Sequence, residues 1–186
     1  MSAMTMQTIG AFDDAAGAAL TSTTVAMQAM DFVVQWGRCG MTADYLADYL
    51  AYAFERRDVA RTVITTAANE LLENAAKFSS DKKAPVRIAA RLRGDVLELE
   101  VENVADADHV DALTSVLDAL SRGEASSLFA SRIESPERGG LGLIILARDY
   151  DAQLGARIVS VNGGSLDKTF SVTVRASIAA DEVEQR

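Results

Sequence analysis

Glu70, Asn74 and Lys77 lie in the run Asn69-Glu70-Leu71-Leu72-Glu73-Asn74-Ala75-Ala76-Lys77-Phe78-Ser79. Glu70 and Asn74 are four residues apart, so on a helix both side chains leave the same face, and Lys77 follows one turn on. A carboxylate, an amide and an ammonium in one stripe can position a water or hydroxyl, a divalent cation and a phosphate. Glutamate and lysine at such spacings also serve simply to stabilise exposed helices. Asn74 tips the balance, because asparagine is a mediocre helix former and needs a reason to sit mid-helix. Ligation of Mg2+ is one reason, since that ion takes oxygen ligands and shares them with substrate phosphates. Glu70 then reads as a general base toward a water or hydroxyl. Lys77 reads as a point charge for phosphate oxygens.

A second motif, Gly139-Gly140-Leu141-Gly142-Leu143, introduces a later helix. Paired glycines before a helix can be a plain turn with close packing. They also let backbone N–H groups approach phosphates, with the helix N-terminus favouring negative charge. Arg138, just before them, is either a further phosphate contact or an ordinary surface residue. Neither motif is specific alone. The two in this order imply a nucleotide site.

The elements that must hold these residues follow from periodicity. Residues 1–23 read as a loosely ordered start with a short helix at Asp13–Leu20, residues 24–178 as one domain, and residues 179–186 as a frayed acidic tail. Thr24–Trp36 reads as a strand, at least over Met30–Trp36, followed by a turn at Gly37–Gly40. Thr42 is expected to cap a helix from Ala43 to about Arg57, with Tyr45, Leu46, Tyr49, Leu50 and Phe54 as its apolar stripe. Asp58 is expected to cap the helix Val59–Phe78, whose Val59, Val63, Ala67, Leu71 and Ala75 face the core. Pro85–Arg93 and Asp95–Asn103 alternate about Gly94 as a hairpin. Helices are expected at Asp106–Arg122, Ala125–Ile133 and Gly142–Tyr150. A second hairpin, Leu154–Asn162 with Lys168–Ile178, turns at Gly163-Gly164. The order implies an α+β sandwich.

Bulk properties narrow the classes. The chain has 186 residues, enough for one real core, and 49% hydrophobic residues, which excludes wholesale disorder. A net charge of −9 argues against nonspecific nucleic-acid binding and fits a soluble cytoplasmic protein. A lone Cys39 rules out an internal disulfide framework and Cys-based zinc sites. No apolar run approaches the ~20 residues that span a bilayer, and the first residues lack a signal-peptide pattern. His109, the only histidine, excludes His-rich metal sites and reads as an exposed connector residue.

The motifs together resemble the GHKL ATPase superfamily, which unites histidine-kinase catalytic domains, gyrase-type ATPases and anti-sigma-factor serine kinases. N-E-L-L-E-N-A-A-K-F-S is similar to its N-box and R-G-G-L-G-L to its second glycine box. D-K-T-F-S-V-T-V, Asp167 to Val174, resembles its closing strand, which implies that Thr169 helps hold adenine. Where the superfamily carries Asp-x-Gly-x-Gly, this chain has Asn103-Val104-Ala105-Asp106-Ala107. Asn103 would accept from the adenine amino group without charge, and alanine resists any backbone site needing positive φ.

Within the superfamily the chain looks most like SiaB-type and anti-sigma-factor-like Ser/Thr protein kinases. The resemblance implies a two-layer α/β sandwich of the Bergerat type, with helices on one face of a mixed, mostly antiparallel sheet. It implies ATP and Mg2+, phosphorylation of a small anti-sigma-factor-antagonist-like partner opposed by a phosphatase, and a homodimer. Glu70 would be the base and Asn74 the metal ligand. Lys77, Asn103, Arg138, Gly139, Gly140, Gly142 and Thr169 would hold nucleotide. The altered Asn103–Ala107 box motivates a second reading, a module of the same fold that sequesters a partner without catalysis.

Overall fold

The computed structural model describes residues 5–12, 18–134, 140–161 and 169–185. Its centre is two hairpins whose strict alternation gives each strand one apolar face. β3 (Pro85–Arg93) pairs with β4 (Val96–Asp106) across a turn at Gly94, where φ is +52°. β5 (Gln153–Val161) pairs with β6 (Thr169–Ala179), and β6 joins β4. β2 (Thr21–Gln28) and β1 (Met6–Gly10) close the edges in the order β1-β5-β6-β4-β3-β2. Among the described residues every pairing is antiparallel.

One face of the sheet carries the helices, giving a two-layer α+β sandwich. α3 (Arg57–Phe78) lies over β3 and β4 and buries Val63, Ile64, Ala67, Leu71, Leu72 and Ala75. The partners below are Leu97, Leu99 and Val101. Each large side chain so buried contributes about 1.5–3 kcal/mol. α4 (Ala107–Ser121) crosses β1, β4, β5 and β6, and α6 (Leu141–Asp149) packs on α3 and on α5 (Ala125–Glu134). Among the described residues, no helix is long and apolar enough to cross a membrane.

Several expectations are corrected. Residues 6–10, placed in a loose start, form β1 beside β5. Met30–Trp36 is not a strand: alternation stops at Gln28, and Ala29 and Phe32 bury one face of the short helix α1 (Ala29–Val34). α2 begins at Gly37 and runs to Leu50, so Gly37–Gly40 is helical and Thr42 is buried within the helix instead of capping it. Leu46, Leu50 and Phe54 reach the core, but Tyr45 and Tyr49 are 55% and 51% exposed. Ala180–Gln185 is not frayed. It forms α7 with Val183 fully buried. The Glu184 carboxylate accepts from the backbone N–H groups of Glu55 and Arg56, at 2.6 and 3.2 Å. The start of α3 has no side-chain cap of its own, Asp58 included, and Glu184 takes that place. The turn at Gly163-Gly164 and most of the helix expected at Asp13–Leu20 lie outside the described residues, and residues 18–20 are not helical.

The opposite face of the sheet is charged yet largely covered. Glu100 accepts from both Arg91 and Arg175, and Arg93 donates to Glu98. Gly155 lets the chain cross closely here, since a Cβ would sit 2.5 Å from the Ala11 carbonyl carbon. The crossing lays the Phe12 ring 4.2 Å from the Arg175 guanidinium.

Candidate functional site

A cavity of about 100 Å3 lies between α3, α4 and the sheet. Its floor is Val101, Asn103 and Ala105 of β4 with Val172 and Val174 of β6. α3 supplies Leu71, Asn74, Ala75 and Phe78, and α4 supplies His109, Val110, Leu113 and Val116. Arg132, Gly140 and Leu143 complete the wall. The lining is mostly aliphatic, which makes its few polar groups conspicuous.

Two of those groups are amides without good partners. The Asn74 side-chain nitrogen is buried and makes no hydrogen bond. Asn103 is only 6% exposed, because the alternation that buries Val101 and Ala105 turns it inward too. Its neighbour across the ladder is Val172, which offers nothing polar beyond its backbone. Its one side-chain contact, to the Val104 carbonyl at 3.5 Å, is too long for a strong N–H···O bond. Leaving such a group unsatisfied costs about 1–3 kcal/mol.

Glu70 stands one turn before Asn74 and meets α6. A Cβ at Gly142 would overlap Glu70 Oε2, so this glycine lets the Glu70 carboxylate rest against the first turn of α6. Gly140 precedes it with φ +78°, a left-handed N-cap that favours glycine. The two motifs read from sequence therefore touch. Burial pushes the Glu70 carboxyl above the ordinary carboxylate range, and the neighbouring Glu73 charge adds to this. Asn69 takes no part in the cavity; its amide donates to Glu73 at 2.8 Å.

The remaining site residues fare differently. Lys77 is exposed, with Nζ 5.2 Å from the Phe78 ring centre, and is not part of the cavity wall. Thr169 is not part of it either: it pairs with Asp106 at the far end of β6, and Val172 holds the place beside Asn103. Arg138 and Gly139 lie outside the described residues. Ala105 and Ala107 create no strain. Ala105 continues β4, Ala107 opens α4, and neither has positive φ. Asp106 caps α4 by accepting from the His109 N–H at 2.9 Å.

His109 lies on α4 and, with its side chain 39% exposed, also forms part of the cavity wall. Its ring lies 5.2 Å from that of Phe78, tilted by 50°. Its Nδ1 is 2.8 Å from Asp106 Oδ1 but is not aligned for a hydrogen bond, whereas the His109 backbone N–H donates to that oxygen. The amphipathic stripe Val110, Leu113, Leu117 and Leu120 was the available signal that this helix face turns inward. Arg132 had no such signal; it is the cationic side chain of the wall among the described residues.

The walls are mainly apolar, and Gly140 at the start of α6 lies at the cavity's edge. Among the described residues there is no cluster of three acidic, His or Cys side chains that could bind a metal unaided. The Asn74 amide carries an oxygen of the kind Mg2+ takes, while its unpartnered atom is the nitrogen, a donor suited to an acceptor such as a phosphate oxygen.

No protein-family model matches the chain. No curated protein matches it either. In three dimensions it is similar to a chain in the crystal structure of the SiaB-SiaC complex from Pseudomonas aeruginosa. The TM-score is 0.61 at 17% identity, over 86% of this chain and 91% of that one. The likeness shows a shared fold.

Proposed function

We propose that this chain is an ATP-dependent protein serine/threonine kinase that phosphorylates a small partner protein in a partner-switching circuit. The observation that carries the reading is the pair of amides without good partners, Asn74 and Asn103, facing an apolar cavity with Glu70 against the start of α6 beside it. The fold shared with a chain of the SiaB-SiaC complex supports a small regulatory protein as the acceptor.

Each residue then has a role. The cavity holds the base between its aliphatic floor and the Phe78–His109 wall. Gly140 and the N–H groups of the first turn of α6 receive phosphate oxygens. Asn74 would hold Mg2+, which neutralises charge on the phosphates. Glu70 accepts the proton of the Ser or Thr hydroxyl as its oxygen bonds to the γ-phosphorus. The bond to the β,γ-bridging oxygen breaks and ADP leaves. A carboxyl raised above its ordinary range is a stronger base for that step. Lys77, at the exposed end of α3, would contribute charge at longer range.

The test is transfer of labelled phosphate from Mg-ATP to a SiaC-like partner. Transfer that is lost in Glu70→Ala is the expected result, and equal transfer by the variant contradicts the role. One observation favours a second reading, a module that captures a partner without catalysis. β4 runs through Ala105 as a regular strand, so no glycine turn frames the base. Partner binding that is indifferent to ATP and ADP would support that module.

A further inference from the structure

We infer that Asn103 makes the cavity a general purine site, accepting guanine nearly as well as adenine. The inference rests on the nucleotide reading and specifies its substrate class. Asn103 is the polar side chain on the cavity floor. A carboxylate only accepts hydrogen bonds, whereas an amide carries an acceptor and a donor on one plane. Adenine presents a donor at its C6 amino group and an acceptor at N1. Guanine presents the reverse, an acceptor at O6 and a donor at N1. One amide facing the C6 edge satisfies either base by turning through half a circle about its last side-chain bond.

An amide discriminates between the bases only if its neighbours lock its orientation. Here they do not. Its nitrogen has only the 3.5 Å contact to the Val104 carbonyl, and the side chains flanking it are Val101, Ala105 and Val172. The aromatic wall of Phe78 and His109 adds no preference, since every base has a π-face to stack. A pyrimidine, being smaller, leaves part of the wall without contact.

The experiment is calorimetric titration of the full chain with Mg-ADP, Mg-GDP and Mg-CDP, in wild type, Asn103→Asp and Asn103→Leu. In the wild type, ADP and GDP should bind within about tenfold of each other and CDP more weakly, because the flip preserves both hydrogen bonds. Asn103→Asp can only accept, so against either base it keeps one hydrogen bond and sets its other oxygen against an acceptor, adenine N1 or guanine O6; it should weaken ADP and GDP alike, by on the order of 10-fold or more. Asn103→Leu should weaken ADP and GDP alike, and it keeps the test independent of a buried new charge. Strong selectivity of the wild type for ADP over GDP, or for GDP over ADP, overturns the inference and leaves the nucleotide site standing. Binding of none of the three by folded protein overturns the nucleotide reading and this inference with it.

Discussion

The two faces of the sheet both bury polar side chains, and they treat them in opposite ways. On the outer face Glu98 and Arg175 are 4% and 7% exposed, and each is held by a charged partner. On the helix face Asn103 is as deeply buried, and neither it nor Asn74 has a strong hydrogen bond. Burial raises the Glu100 carboxyl, but the hydrogen bonds and charges of Arg91 and Arg175 outweigh it and hold it below the ordinary range. Glu70 has no such cations in its balance and is pushed up. Polar groups that complete each other within the chain serve the fold. Polar groups buried without partners lower stability, and a ligand that engages them offsets that loss.

The contrast can be broken from either side. The largest effect is expected at Glu70. Glu70→Ala should lower phosphoryl transfer by about 10²–10⁴-fold, with nucleotide affinity little changed, read by transfer assay and titration together. Next is Arg175→Ala on the outer face, which leaves Glu100 short of a buried partner. With Arg91 still paired to Glu100, it should cost about 1.5–3 kcal/mol in chemical denaturation and leave nucleotide affinity intact. The sign with pH follows from Glu100: its folded pKa is depressed, so its stabilisation is present above the unfolded value and lost as pH falls through the folded one. Glu100→Gln should flatten that acid limb.

Glu184→Ala should cost about 1 kcal/mol, as loss of a helix cap does, and hydrogen exchange should quicken at the start of α3 with the cavity end unaffected. The smallest effect is Glu70→Gln on stability. Its folded pKa is raised, so the charged carboxylate lowers stability above that pKa and not below the unfolded one. The variant should melt higher at neutral pH by about 2 °C, a gain that disappears in acid. A gain that persists in acid would contradict the unsatisfied charge.

Much of the contrast was legible in the residues. The period of Val63, Ala67, Leu71 and Ala75 placed Glu70 and Asn74 correctly on one helix. The alternation of β3 and β4 set the hairpin, and Asn103 falls in phase with Val101, which is why it is buried. What was not legible depended on distant partners. Glu184 reaches Glu55 and Arg56 from 129 and 128 residues away, so nothing local marked the tail as a cap. Met30–Trp36 is apolar enough for a strand or a buried helix, and only packing of Ala29 and Phe32 decides between them. His109 sits beside the amphipathic stripe of α4, which marked the inward face, but its place in the wall follows from how α4 crosses the sheet and meets Phe78. Thr169 was carried over from a resemblance; the register, which sets Val172 beside Asn103, gives it no place in the cavity.

The central claim is that the cavity with its amides without good partners is a nucleotide site. Calorimetric titration with a non-hydrolysable ATP analogue, with and without Mg2+, in wild type and Asn74→Ala, tests it most directly. The account predicts Mg2+-dependent binding in the wild type that falls at least about tenfold in Asn74→Ala. Folded protein that shows no binding at millimolar analogue, or binding indifferent to both Mg2+ and Asn74, would contradict it.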